Sequence, residues 1–568
     1  MENKFDDNSY VDLKTAEYYR SNAVRLVSEY AKAETLFDVL IKNHTSGHSS
    51  ILDIGCGSGR DLSQLKKAGH SVAGAEPSVE MIKKAEEMYP ELKDTIVNSS
   101  LPNLTGIEAG FDLVLCSAVF QHIDSKYLHE CFCRIDELLN SEGLFILSFP
   151  IQYPGVDPKS DRDSAGRYFK IRPESQYSFL LERHGLKLIE TVYQNDSLSR
   201  EGIRWAVQVF RKGASLNPFP LKILDSILRK DSKNTTYKFA LLRSLANLAS
   251  YSYRIAEWDC FNNVHIDINY LIDKWIEYYW PILTYSKYIS QGQNKDENVN
   301  DIRFRNELVS LAEDFNGYHG LQHFCKLRDC GGLSADSLVK YELTKRAVKT
   351  AIIQGPVRYA GNKNTGRVFN QSGDFIVFSA DLWKEFALMG KWIEDSIILR
   401  WAEFTTELRF NKARKIQVSE VMTNLLYSVD VKRDVGIVAS LLGNLSAPVE
   451  CVWTGTDLRT YDIDHALPFS IWKNNDMWNL FPAARTVNSH KSNKVPSRKL
   501  INKSRKRILN YWDLYFEDTP ELFLHQASAF CGRSFYDMSS ELRDSLLLGF
   551  NETADLAIRQ HGAEEWSL

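Results

Sequence analysis

Ile51 to Arg60 reads I-L-D-I-G-C-G-S-G-R, an apolar strand that runs straight into a glycine-rich turn and then a helix predicted over Leu62 to Ala68. Gly55, Gly57 and Gly59 lack a Cβ, so the backbone there can approach a ligand closely. A second short strand, Ser71 to Ala75, ends at Glu76, 23 positions after Asp53. A carboxylate at that place can accept both ribose hydroxyls of a nucleoside. A dinucleotide could use the same layout. However, D-x-G-x-G-x-G, with Asp before the first glycine, differs from the G-x-G-x-x-G fingerprint and needs no pyrophosphate site.

Working outward from that turn, Val97 to Pro102 reads V-N-S-S-L-P. A further strand, F-D-L-V-L-C-S from Phe111, leads into A-V-F-Q-H-I, and an apolar strand follows over Gly143 to Phe149. Over residues 1–213 this order resembles the class I S-adenosylmethionine-dependent methyltransferases. The resemblance implies an α/β Rossmann-like fold with Asp53, Gly55 and Gly57 facing the methionine end of the cofactor and Glu76 its ribose. Ser99 stands where that family usually places an acid against adenine, which implies contact through a hydroxyl or a backbone group. Gln121 and His122 are placed near the reaction centre. The chain has neither the D/N-P-P-Y/F turn of enzymes that methylate exocyclic amines of DNA bases nor a Pro-Cys nucleophile. It is more similar to methyltransferases of small molecules and of RNA. Residues 1–213 hold 25 basic against 31 acidic residues, net −6, which is poorly suited to gripping nucleic acid unaided.

A second motif lies far along the chain. Asp464 to Lys491 reads D-H-A-L-P-F-S-I-W-K-N-N-D-M-W-N-L-F-P-A-A-R-T-V-N-S-H-K. Phosphodiester cleavage needs a divalent ion to neutralise charge on the leaving oxygen and a base to activate water. Asp464 and Asn488 offer oxygen donors of the kind that suits Mg²⁺, and His465 offers an imidazole free to take a proton near neutral pH. The spacing resembles the HNH, or ββα-metal, nucleases, and is especially similar to the HNH domain of RNA-guided CRISPR effectors. That resemblance implies His465 as general base, Asp464 and Asn488 as ligands of Mg²⁺ or Mn²⁺, and Asn479 as the residue bracing the loop. Many HNH proteins carry two C-x-x-C pairs for a structural zinc. Here the segment has Cys451 alone, so no zinc is expected and Val452, Trp453, Ile463, Leu467 and Trp472 must hold the hairpin by packing.

From Asn488 to Asn510 eight basic residues (Lys491, Lys494, Arg498, Lys499, Lys503, Arg505, Lys506, Arg507) occur in 23 positions without an acid. That is an electrostatic footprint for a phosphate backbone, with double-stranded DNA the expected partner. A solvated basic helix is the alternative, although such helices usually carry interspersed acids.

At 568 residues, three or four domains are expected. With 44% hydrophobic and 25% charged residues and a net charge of −4, the composition is that of a soluble globular protein. No apolar run approaches membrane-spanning length, and M-E-N-K-F-D-D-N is not a signal peptide. Nine cysteines, scattered without paired spacing apart from Cys131-x-Cys133 and Cys325-x₄-Cys330, suggest free thiols in the cytoplasm. His319, His323, Cys325 and Cys330 complete no defined metal geometry. The expected organisation is multidomain: a Rossmann-like methyltransferase domain over 1–213, a mainly α-helical middle over 214–444, a ββα-metal domain over 445–515 and a helical segment over 516–568. The break falls at Lys212 to Pro220, where Gly and two Pro interrupt regular structure. The middle region shows helical periodicity over Tyr237–Tyr251 and Ile268–Trp280, core aromatics, and a loop over Gln291–Asn300. A basic cluster from Lys340 to Arg367 could be a second DNA contact. The function these features imply is a Mg²⁺-dependent DNA endonuclease fused to a cofactor-binding methyltransferase domain, in bacterial defence. The alternatives are an RNA or small-molecule methyltransferase with a nucleic-acid-binding HNH domain, or a nuclease gated by S-adenosylmethionine.

Overall fold

The computed structural model describes residues 11–33, 37–45, 47–213, 222–293, 301–361, 366–427, 433–445 and 448–568. Most of the expected interdomain break, residues 294–300 of the Gln/Asn-rich loop, and Lys363 lie outside them. The chain divides into two compact units. One comprises Met1–Pro218 with Trp258–Asn262, the other Phe219–Glu257 with Asn263–Leu568. Among the described residues no helix is long and apolar enough to cross a membrane.

The first unit is built on a seven-stranded sheet: β1 (Ser50–Ile54), β2 (Ser71–Glu76), β3 (Ile96–Asn98), β4 (Phe111–Ser117), β5 (Leu139–Gln152), β6 (Leu186–Asn195) and β7 (Arg204–Lys212). Their order across the sheet is β3-β2-β1-β4-β5-β7-β6, parallel as far as β5, while β7 runs antiparallel to both β5 and β6. Parallel strands covered on both faces read as continuous apolar runs. Accordingly Leu52 and Ile54 join one buried cluster and Ile51 another, as alternate side chains leave opposite faces. Among the described residues this unit has the α-helices α1 (Leu13–Ser21), α2 (Ala23–Tyr30), α3 (Phe37–His44), α4 (Arg60–Lys67), α5 (Val79–Met88), α6 (Leu128–Leu138) and α7 (Glu174–Arg183). The chain turns from β1 into α4 and from β2 into α5, which places the carboxyl ends of two adjacent central strands at one edge of the sheet. Ligands of open α/β sheets bind at such an edge.

The second unit begins mainly helical, as expected. Tyr237–Tyr251 packs against the long helix Ala380–Glu407, and Ile268–Leu283 buries Trp275, Tyr278, Tyr279 and Trp280 as core. Strand Phe375–Ser379 pairs antiparallel with Asn263–Asp267. Gln291, expected in a loop, is fully buried and its side-chain oxygen accepts the indole N–H of Trp401 at 2.9 Å. Further on, Asp462–His465 and Leu480–Ala483 form an antiparallel pair followed by helix Arg485–Lys491, a ββα arrangement. One apolar core runs from Val438 to Trp566, so no division at residue 515 separates the last helices from the hairpin. The Trp478 ring stacks on Phe530 with centroids 3.9 Å apart, and Phe481 meets Phe550. Val452, Trp453, Ile463 and Leu467 all lie in this core, with Trp472 packed at its margin.

Candidate functional site

At the carboxyl ends of β1 and β2 the first unit opens into a cavity of about 990 Å³. Asp53, Gly55, Gly57, Glu76, Ser99, Gln121 and His122 all line it. Gly55 adopts φ +71°, and a Cβ there would lie 2.4 Å from Val119 Cγ2, so the turn admits only glycine without displacement. The Glu76 carboxylate is fixed by two backbone donors, Gly57 N–H and Ser78 N–H, each at 3.0 Å. Burial pushes its pKa up to about 7, with those two hydrogen bonds opposing the shift. Burial, reinforced by the neighbouring Asp61, also holds the Asp53 carboxyl well above the usual range.

His122 is placed by both ring nitrogens. Nδ1–H donates to the Tyr168 carbonyl at 2.7 Å, which leaves Nε2 to accept from the Tyr19 hydroxyl at 3.0 Å. Tyr19 in turn accepts from Arg167, whose guanidinium pairs with buried Asp163. Burial lowers the His122 pKa to about 4, so the ring is neutral near pH 7. Gln121 donates its amide to the Ala118 carbonyl at 2.6 Å, and its Oε1 is buried without a hydrogen-bond partner. Tyr19 and Arg167 sit outside any motif; only the fold brings them to His122.

The second site occupies the ββα hairpin. Cross-strand register sets Asp464 opposite Phe481 and His465 opposite Leu480. Asp464 is nearly inaccessible, and both its oxygens are engaged: Trp453 Nε1–H donates to Oδ2 at 3.0 Å and Lys491 Nζ to Oδ1 at 2.9 Å. Lys491 also donates to the His465 carbonyl at 2.7 Å. This corrects the assignment of Lys491 to nucleic-acid contact, since a fully buried ammonium bound to a carboxylate cannot reach phosphate. Asn488 does not meet Asp464 directly; its Nδ2–H donates to Asp462 at 3.1 Å. Asp462 and Asp464 are two apart on one strand and so share a face, a relationship readable in D-I-D-H but missed from sequence.

His465 Nε2 lies 3.1 Å from Asn475 Oδ1, and that oxygen also accepts the Asp434 N–H, which fixes it as an acceptor. The imidazole proton therefore sits on Nε2, leaving Nδ1 as a buried lone pair without a hydrogen-bond partner. Burial lowers the His465 pKa to about 4. Asn479 is fully buried. Its Oδ1 accepts the Leu467 N–H at 2.7 Å and its Nδ2 donates to the Leu467 carbonyl at 3.0 Å, bracing the loop that follows His465.

The basic run divides by partner. Arg507 is half-buried and donates to the carbonyls of Val452 and Trp453, so part of its guanidinium holds the hairpin. Lys494 pairs with Glu564, Arg505 with Asp544, and Arg498 is half-buried. Lys499, Lys503 and Lys506 are exposed along helix Arg498–Asp518. In the cluster from Lys340 to Arg367, Lys340 pairs with Asp314, Lys345 with Glu342 and Lys349 with Asp374. Cys451 accepts the Ala484 N–H. His319, His323, Cys325 and Cys330 bring no three donors together. Among the described residues such a convergence occurs at His129, Cys133 and His184.

Comparison with known proteins agrees with this layout. Residues 52–147 match the family described as "Methyltransferase domain", residues 454–497 match "HNH endonuclease", and residues 217–425 match "Domain of unknown function (DUF8808)". An uncharacterized methyltransferase of Oceanobacillus iheyensis is 24% identical over 179 residues, covering 31% of this chain and 81% of that protein. One from Alkaliphilus oremlandii is 28% identical over 97 residues, covering 17% of this chain and 44% of its own length. Among solved structures, the 1,6-didemethyltoxoflavin-N1-methyltransferase of Burkholderia thailandensis aligns at 20% identity, covering 35% of this chain and 85% of that one, with a TM-score of 0.28. The chain is thus a multidomain protein that carries a methyltransferase domain near one end, an HNH endonuclease domain near the other, and a mainly helical region between them.

Proposed function

We propose that this chain is a Mg²⁺-dependent HNH endonuclease that cuts double-stranded DNA and also binds S-adenosylmethionine, acting in bacterial defence against phage or foreign DNA. The observation that carries this reading is the His465 imidazole, held neutral, with its Nδ1 lone pair buried and unpartnered beside Asp464. A neutral imidazole with an unengaged nitrogen can accept the proton of an attacking water. The same hairpin carries donors of the hard type a divalent ion takes, the Asp464 carboxylate, whose oxygens here accept from Trp453 and Lys491, and the Asn488 carboxamide oxygen. Asp464 and Asn488 would hold Mg²⁺ or Mn²⁺, which supplies charge neutralisation at the leaving oxygen. Asn479 would act by holding the loop, and exposed Lys499 and Lys506 would meet the phosphate backbone.

For the first unit, the cavity residues fit S-adenosylmethionine. Glu76 would accept the ribose diol, and Gln121, which also lines the cavity, would lie near the reaction centre. The turn carrying Gly55 and Gly57 leaves room for the methionine end, with Ser99 toward the adenine.

Plasmid incubated with the purified chain and Mg²⁺, with and without S-adenosylmethionine, tests the reading. Cutting in both conditions supports it, cutting only with the cofactor points to a gated nuclease, and absence of cutting leaves a methyltransferase with a nucleic-acid-binding HNH domain. Replacing His465 by alanine should abolish both cutting and protection of a phage-challenged host. Retained protection would exclude a nuclease-based role.

A further inference from the structure

We propose that His129, Cys133 and His184 form a site for a borderline-soft transition-metal ion such as Zn²⁺, separate from both sites described above. His129 and Cys133 are four residues apart on α6 and therefore project from one face of it. His184 follows directly on the last turn of α7. All three are buried. His129 Nδ1 lies 3.1 Å from His184 Nε2, and Cys133 Sγ lies 3.5 Å from His129 Nε2 and 3.8 Å from His184 Nδ1. One donor atom from each residue can be chosen so that all three fall within 4.8 Å of one another.

A tetrahedral zinc ion with nitrogens at about 2.0–2.1 Å and sulfur at about 2.3 Å spaces its ligands roughly 3.3–3.6 Å apart. The chosen donor atoms, all within 4.8 Å of one another, therefore need to close by no more than about 1.5 Å to reach ligating separation. Without an ion, the two rings and the thiol lie within hydrogen-bonding reach of one another, as buried polar groups require. On binding, the Cys133 thiol releases its proton to solvent as the sulfur–metal bond forms. Each imidazole binds through one nitrogen and keeps its single proton on the other. One thiolate and two imidazoles select Zn²⁺ or Cu⁺ over Mg²⁺, the reverse of the oxygen donors around Asp464. None of the three lines the cavity at β1 and β2, so the ion would fasten α6 to the end of α7 rather than touch a substrate.

The full chain, stripped with chelator, is titrated with Co²⁺ and separately with Zn²⁺. Co²⁺ should give a thiolate-to-metal charge-transfer band in the near ultraviolet, and Zn²⁺ should raise Tm and remain bound at one equivalent after dialysis. The band should disappear in Cys133→Ser and in His184→Gln but persist in His465→Ala and Cys451→Ser. Absence of the band and of the Zn²⁺-induced rise in Tm in the unsubstituted chain would overturn the proposal, even if the cluster variants fail to fold. So would a band of full intensity in Cys133→Ser.

Discussion

Lys491 Nζ lies 2.9 Å from Asp464 Oδ1 with both side chains buried. Removing one member of such a pair leaves the other charge buried and uncompensated, at a cost of about 3–5 kcal/mol. Lys491→Met should therefore lower unfolding stability by that amount in urea titration. If Lys491 instead contacted phosphate, the substitution would weaken DNA binding and leave stability unchanged.

Cleavage should depend weakly on pH in the range where ordinary histidines titrate. The His465 pKa is lowered to about 4 by burial, so the ring stays neutral as pH falls from 7 to about 5. Because the folded value lies below the unfolded one, the unfolded chain takes up the proton first. The stability contribution is thus complete above about pH 6.5 and is lost as pH falls toward 4. A cleavage rate that halves near pH 6.5 would contradict this environment.

Asn479→Ala removes both hydrogen bonds to the Leu467 peptide and leaves that peptide buried. Each unsatisfied buried group costs about 1–3 kcal/mol. Stability should fall by at least that much, with loss of cutting, as read by denaturant titration and a plasmid assay on the folded fraction.

In the methyltransferase domain, Gly57→Arg should eliminate the calorimetric signal of S-adenosylmethionine by filling the turn beneath the cavity. Gly55→Ala should destabilise the unit by about 1–2 kcal/mol from left-handed backbone alone, and by more because the new Cβ meets Val119. An unchanged titration for Gly57→Arg would refute the assignment of this turn.

Paired substitution of Lys499 and Lys506 by Gln should reduce the slope of log affinity for DNA against log salt by about 2 while sparing stability. Arg507→Gln should do the opposite, because its guanidinium holds the Val452 and Trp453 carbonyls. Equal effects from all three would mean the helix contacts nucleic acid along its whole length.

What could be read from sequence was local. The strand-turn-helix around Gly55 and the D-H…N…N..K order depend on residues close together in the chain, and their geometry follows from backbone rules. The partners of individual charges do not. Nothing in the basic run distinguishes Lys491, which faces a buried carboxylate, from Lys499, which faces solvent, because burial is decided by the core that forms around the hairpin. Tyr19 and Arg167 reach His122 across 103 and 45 intervening steps of chain, and His129 meets His184 across 55. No spacing rule connects residues so far apart. The helices after residue 515 carry no motif, so their place in the same core as Trp478 became visible only in the fold.

Trp566 meets the ring of Trp453 at a centroid distance of 5.6 Å, and Trp453 donates to Asp464. During synthesis Asp464 leaves the ribosome roughly a hundred residues before Trp566, a delay of about 5–20 s at ordinary elongation rates. A nascent chain therefore holds Trp453 and Asp464 before the indole that packs on the Trp453 ring has been made. The delay leaves an interval in which the core behind Trp453 is still incomplete.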